Sequence, residues 1–255
     1  MLANLRLVFR LPLLLVHILL GTPVTVLSQY RPLRDISVGR RQLSEVTAVW
    51  YMRTVCRIFG LTIEQAGTVG PGARLLVANH ISWLDIALIN SMAAVSFVSK
   101  SEINDWPVVG LMARSGRTVF HQRGSHDSAS GVAAVMAERL EAGGRVAIFP
   151  EGGIRPGHGV KRFHGRMFAA AIDTGVPVQP VMLRYLRDGG HDPDMTFLPG
   201  EHFVANFFRL LRQGPSTAHV EVLPEIQSRG RQRRELAAQA EAAVRAAFEA
   251  DVARR

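Results

Sequence analysis

The stretch Val77-Ala-Asn-His-Ile-Ser-Trp-Leu-Asp85 decides how this chain is read: an apolar run stops at Ala78, a polar turn follows, and an apolar helical period opens at Trp83. It predicts a strand over 74–78 and a helix over 83–92. Working outward, the same alternation recurs. Further strands are predicted over 95–99, 117–121, 145–149 and 178–185, with later ones near 195–198 and 219–223. Helices are predicted over 107–114, 127–142, 165–174, 202–211 and 231–252. Strands alternating with helices specify an α/β fold, a mixed sheet flanked by helices. In the last helix Leu236, Ala240, Val244, Phe248 and Val252 make one stripe, as in a helix that closes a domain. Phe203, Phe207, Phe208 and Leu211 read as a core stripe. Pro177 and Pro180 demote the 178–185 strand to an edge or lining position, since proline donates no ladder hydrogen bond.

Upstream the pattern changes. Residues 11–30 contain no Asp, Glu, Lys or Arg, and a helix of that length reaches about the ~30 Å of a bilayer core. Pro12, Gly21, Thr22, Pro23 and Thr25 interrupt the run, so a kinked span, a re-entrant helix and an interfacial helix all stay open. If it spans, Arg31, Arg34, Arg40 and Arg41 outweigh Arg6 and Arg10 and hold the following chain in the cytoplasm. Residues 38–59 form an amphipathic period. Arg41, Glu45, Arg53 and Arg57 lie on one ladder, with Leu43, Val46, Trp50, Val55 and Ile58 opposite, as expected for a helix lying among lipid headgroups. The expected organisation is therefore a membrane-associated helical pair over 1–62, followed by an α/β domain over 63–255.

Composition narrows the chemistry. Of 255 residues 47% are hydrophobic and 20% charged, enough to bury a core and too apolar for a disordered chain. One cysteine, Cys56, excludes an internal disulfide and any multi-cysteine metal site, and points to a reducing compartment. The net charge of +9 implies anionic partners: nucleic acid, lipid headgroups, phosphorylated molecules or an acidic carrier protein.

His80 sits in the turn and Asp85 in the first turn of the helix. On a straight helix five residues place two side chains about 140° apart, so the two pair only if the backbone folds between them. A strand-to-helix turn does that. The carboxylate would then accept from Nδ1 and leave Nε2 as a base. Ser82 and Asp85 equally match a capping box, a role compatible with the first. Downstream, Ile148-Phe-Pro-Glu-Gly-Gly153 runs a strand into a glycine-rich turn whose amides suit an anion, with Arg155, Lys161 and Arg162 close behind. Arg123 follows another strand, where a guanidinium fork suits phosphate or carboxylate.

His80-x4-Asp85, the block ending at Arg123, Phe149-Pro-Glu-Gly152 and Val176-Pro-Val-Gln-Pro180 resemble, in order and spacing, the four blocks of the glycerolipid acyltransferase superfamily. Phe97-Val-Ser-Lys100-Ser-Glu102, with Trp106, Pro107 and Gly110, resembles the link between its first two blocks. The resemblance implies a membrane-associated enzyme that moves a fatty acyl group from acyl carrier protein or coenzyme A to a lyso-lipid hydroxyl. His80 would be the general base and Asp85 its partner. Arg123, Glu151 and Gly152, with Gly153 in the same turn, would hold the acceptor, and Lys100 would add positive charge at the mouth. No metal or resident cofactor is implied, and the catalytic domain would face the cytoplasm on the inner membrane. The default acceptor is 1-acyl-sn-glycerol-3-phosphate, giving phosphatidic acid. Gln122 stands where the family usually carries Asp, and Gly153 where it carries Thr, so lyso-ornithine lipid or another lyso-lipid is the alternative.

Two rival classes lack their signatures. A metal-dependent hydrolase would need a His-Glu-x-x-His or an equivalent carboxylate beside His121 and His126 or His158 and His164. A nucleic-acid-binding module would need a P-loop or aromatic RNA-binding motif, and the arginines are spread along the chain rather than gathered. Gly-x-Ser-x-Gly is absent as well, so no serine nucleophile elbow is present.

Overall fold

The computed structural model describes residues 2–39, 41–100, 119–121, 126–154 and 159–254. The chain opens with one long helix, α1 (Leu2–Leu27), which Pro12 and Pro23 do not end. It starts well before the uncharged run, and Arg10, just ahead of that run, is held by main-chain acceptors. Arg10 Nη1 donates to the carbonyl oxygens of Leu211 at 3.2 Å and Gln213 at 2.8 Å. At ~1.5 Å per residue, its 26 residues reach about 39 Å.

A two-residue antiparallel ribbon pairs Ser37 with Gln42 and leads into α2 (Leu43–Ile58). The face that α2 turns inward carries polar residues, and Trp50, on the side expected to meet lipid, stays outward. Ser44, Thr47, Tyr51 and Cys56 are buried, whereas Trp50 is 46% exposed. The reason lies in α1 and the turn after it, which offer polar partners. Thr22 and Tyr51 hydroxyls lie 3.1 Å apart, those of Ser28 and Thr47 2.6 Å apart, and a ring nitrogen of His17 meets the Tyr51 carbonyl at 3.1 Å. Gln29 Nε2 donates to the Ser44 carbonyl. Gly21 lets the Tyr51 ring approach to about van der Waals contact. The leucines point outward instead: Leu13, Leu19 and Leu20 are all more than half exposed. A helix pair with polar atoms inside and leucine outside reverses the arrangement of a water-soluble hairpin.

Next come β1 (Leu61–Ala66), β2 (Arg74–Ala78), α3 (Leu84–Asn90), β3 (Ser96–Lys100), β4 (Val119–His121), α4 (His126–Glu141) and β5 (Arg145–Ile148). After them follow α5 (Ala169–Thr174), β6 (Val178–Arg187), α6 (Phe203–Arg212), β7 (Ser216–Val222) and α7 (Arg233–Arg254). The sheet order is β1-β7-β6-β2-β5-β3-β4. In register, Leu75 lies beside both Val146 and Val178, and all strand pairs from β6 across to β4 are parallel. Gly190–His191 adds an antiparallel rung on β6, which makes the sheet mixed. Strand β1 escaped the sequence reading, although Leu61 buried and Thr62 and Glu64 exposed are the alternation that marks a half-covered strand.

Three expectations need correction. Strand β6 is central, not an edge. Pro180 is tolerated there because its carbonyl faces β7 and accepts from Leu223 N–H at 2.9 Å, just past the end of β7. The missing donor therefore faces the place where that ladder has stopped. The strand expected near 195–198 is instead a 3-10 turn, Pro193–Met195, started by Asp192, whose carboxylate accepts from Asp194 N–H at 3.1 Å. Of the predicted phenylalanine stripe only Leu211 is fully buried, and Phe203, Phe207 and Phe208 remain partly exposed. Phe203 and Phe207 meet the Trp83 ring, and Phe207 also meets Phe59. The helix expected over 107–114 lies outside the described residues.

The chain forms two compact units, interleaved in sequence. The first comprises residues 1–64, 81–94 and 185–219; the second 65–80, 95–184 and 220–255. The core of the second gathers Leu75, Val77, Val146, Ile148, Val178 and Met182 from the strands with Met136, Phe168 and Ala171 from the helical segments. Leu236, Ala240, Val244 and Phe248 of α7 close it as expected, with Val252 left exposed.

Candidate active site

Strand β2 delivers the first block. At its end Asn79, 1% exposed, uses its amide as a surrogate rung. Nδ2 donates to the Leu183 carbonyl at 2.9 Å, and Oδ1 accepts from Leu183 N–H at 2.8 Å. The next residue is thereby freed from the ladder, and the chain turns away from the sheet at His80. The His80 imidazole lies flat on Phe149, with ring centroids 3.9 Å apart and planes at 7°. Phe97 stacks behind Phe149 at 5.7 Å.

The second anchor comes from the loop after β5. Glu151, 6% exposed, accepts from His80 N–H at 3.3 Å through Oε2 and from Lys161 N–H at 2.9 Å through Oε1. Pro150 O accepts from His164 N–H at 2.9 Å, which holds the following loop against this turn. Gly152 and Gly153 have φ of 81° and 152°, values L side chains rarely adopt, so the turn needs glycine at both positions. Threonine, usual in the family at the second of them, would be strained here.

Asp85 opens α3 and is fully buried. Its Oδ2 accepts from Ile81 N–H at 2.7 Å and Ser82 N–H at 3.0 Å, folding the backbone after His80 back toward the helix start. Half of the capping box thus exists, while Ser82 Oγ turns instead to Leu84 N–H at 3.4 Å. Oδ1 accepts from the Tyr185 hydroxyl at 2.7 Å. Tyr185 was not foreseen as a site residue. The signal was a tyrosine closing an apolar strand, whose hydroxyl needs a partner once buried. Burial first, and then the Asp85 charge, push the phenol well above its ordinary pKa, so it remains a donor. Tyr185→Phe removes one charge-assisted hydrogen bond and should destabilise the protein by about 1.5–3 kcal/mol, read as a lowered thermal midpoint. An unchanged midpoint would show the bond to be energetically idle.

Cys56 offers no rival nucleophile. Burial pushes its thiol up to about 12, so it stays protonated. Of the other expected site residues, Arg123 lies outside the described residues, as does the side chain of Lys100, whose backbone ends β3.

Comparison with known proteins defines first the class and then the family. A family model described as Acyltransferase matches residues 61–184, a span containing His80, Asp85 and Glu151. A lyso-ornithine lipid O-acyltransferase of Pseudomonas aeruginosa is 36% identical over 249 residues, 96% of this chain and 95% of the relative. A 1-acyl-sn-glycerol-3-phosphate acyltransferase of Neisseria gonorrhoeae is 37% identical over 131 residues, 51% of each chain. The crystal structure of the 1-acyl-sn-glycerophosphate acyltransferase PlsC of Thermotoga maritima superposes with a TM-score of 0.74, covering 97% of this chain and 95% of that one, at 20% identity. The protein is an acyltransferase of the lysophospholipid type, and it belongs to the glycerolipid acyltransferase superfamily.

Proposed function

We propose that this enzyme acylates the hydroxyl of a lyso-ornithine lipid, taking the acyl group from acyl carrier protein or coenzyme A. The observation that carries the acceptor assignment is the similarity to a lyso-ornithine lipid O-acyltransferase along nearly the whole of both chains. The departures at Gln122 and Gly153 fall in blocks that the family associates with acceptor binding, which agrees with an acceptor other than the usual glycerol phosphate. Similarity to the neisserial enzyme over half the chain keeps 1-acyl-sn-glycerol-3-phosphate as the second reading.

His80 acts as the general base and Asp85 steadies the imidazolium. A neutral imidazole, pKa near ~6.5, takes the hydroxyl proton as the oxygen attacks the thioester carbonyl. The new C–O bond forms, the C–S bond breaks, and the thiolate leaves with the proton returned by the imidazolium. No covalent enzyme intermediate is needed. Flat packing on Phe149 supports this reading, because a base must hold one orientation. Arg123, Lys100 and the turn at Gly152 and Gly153 receive the anionic end of the acceptor.

Purified enzyme in detergent micelles, offered both donors and a panel of lyso-lipids, tests the assignment. Turnover of lyso-ornithine lipid should exceed that of 1-acyl-sn-glycerol-3-phosphate at least tenfold, and the reverse order would transfer the proposal to the second reading. The outward leucines of α1 seat the enzyme on the inner membrane, and the excess of basic residues after the helix, Arg31, Arg34, Arg40 and Arg41 against Arg6 and Arg10, keeps its catalytic domain toward the cytoplasm. Leu13→Glu, Leu19→Glu and Leu20→Glu together should abolish co-sedimentation with phospholipid vesicles, since each leucine contributes about 1.5–3 kcal/mol when buried in apolar surroundings. Undiminished vesicle binding would remove α1 from that role.

A further inference from the structure

We infer that Glu151 is a positioning residue for His80 and not a ligand of the acyl acceptor, an inference that rests on His80 being the base. The family resemblance assigns the acceptor to this block, but the carboxylate is nearly inaccessible and is directed at the protein's own main chain. Its two oxygens accept from His80 N–H and Lys161 N–H, tying His80, two residues past the end of β2, to a loop ten residues further along from Glu151 itself.

The same loop grips His80 twice. Phe149 and Glu151 belong to one tight turn, closed by Gly152 N–H on the Phe149 carbonyl at 3.2 Å. One stacks on the imidazole and the other holds its main-chain amide. Asn79 fixes the preceding residue against Leu183. Main chain, ring plane and approach to the turn are thus all constrained by groups that need touch no substrate. Catalysis is sensitive to displacements of about 1 Å, which can cost ~10²-fold, so loosening this grip slows the reaction without weakening acceptor binding.

The test is a split between kcat and the acceptor KM in full-length enzyme in detergent micelles. Glu151→Ala should lower kcat at least tenfold and leave the acceptor KM within twofold. Glu151→Gln, which keeps the shape and one accepting oxygen, should recover part of the loss. A KM raised tenfold with kcat retained, in either variant, overturns the inference and returns Glu151 to the acceptor. Should the alanine variant fail to fold, the glutamine variant decides by the same split.

Carbethoxylation of His80, followed peptide by peptide by mass spectrometry, needs no turnover and separates this inference from the assignment of the base. The rate should rise severalfold in Glu151→Ala, or in Glu151→Gln if only that folds, and also in Phe149→Leu, which keeps apolar bulk but loses the stack. If His80→Ala proved fully active, the base assignment would fall while faster modification still supported the grip. Unchanged His80 reactivity in the Glu151 variant overturns the inference whatever His80→Ala does.

Discussion

His80→Ala should lower kcat by about 10²–10⁴-fold, the range a positioned general base contributes, or roughly 3–5 kcal/mol of barrier. The size follows from the nucleophile. An unactivated hydroxyl carries almost no alkoxide at neutral pH, and no group in the turn except the imidazole has a reference pKa near 7. The acceptor KM should change little, because the ring acts on the reacting hydroxyl and not on the headgroup. The lost stack on Phe149 adds a stability cost of about 0.5–1.5 kcal/mol, so thermal midpoints must accompany the kinetics. Turnover at the wild-type rate in a folded His80→Ala protein would falsify the assignment.

Asp251→Ala should be among the most destabilising single changes in the second unit. Arg184 Nη1 and Asp251 Oδ2 are 2.7 Å apart, with side chains only 5% and 3% exposed. Arg184 projects from within β6 and passes its guanidinium over the Phe248 ring at 5.8 Å, so the pair ties α7 to the sheet. Removing one member strands a buried charge, at a cost of about 3–5 kcal/mol. At ~2–4 °C per kcal/mol for a chain of this size, the thermal midpoint should fall by about 6–20 °C. Replacing both partners, Arg184→Met with Asp251→Leu, should recover much of that loss because no charge is left unpaired. A shift below about 2 °C in Asp251→Ala would show that water or another group already screens the guanidinium.

How legible the site was depended on the range of each interaction. The strand, turn and helix around His80 were readable because hydrophobic period and turn chemistry act within a few residues. The same held for Asp85 near the start of α3, which the capping pattern already marked. The 3-10 turn at Pro193–Met195 and strand β1 had local signals that went unread, whereas other features had a nonlocal cause. Which residues α2 buries was not readable locally, because α1 and the turn after it present Thr22, Ser28 and the His17 ring, which Tyr51 and Thr47 answer. Strand β6 was placed at an edge because of its prolines, and only the point where β7 stops makes a central Pro180 harmless.

By itself the sequence determined most strands and helices of the α/β alternation, the turn at His80, and which residues could do acid–base chemistry. These follow from side-chain period and backbone preference, which are properties of neighbouring residues. Tertiary structure alone decided the partners: Glu151 on the His80 amide, 71 positions away, and Tyr185 on the Asp85 carboxylate, 100 positions away. A buried polar atom must find a hydrogen bond. Its type shows in the sequence, but which atom meets it is set by how strands far apart in the chain come into register.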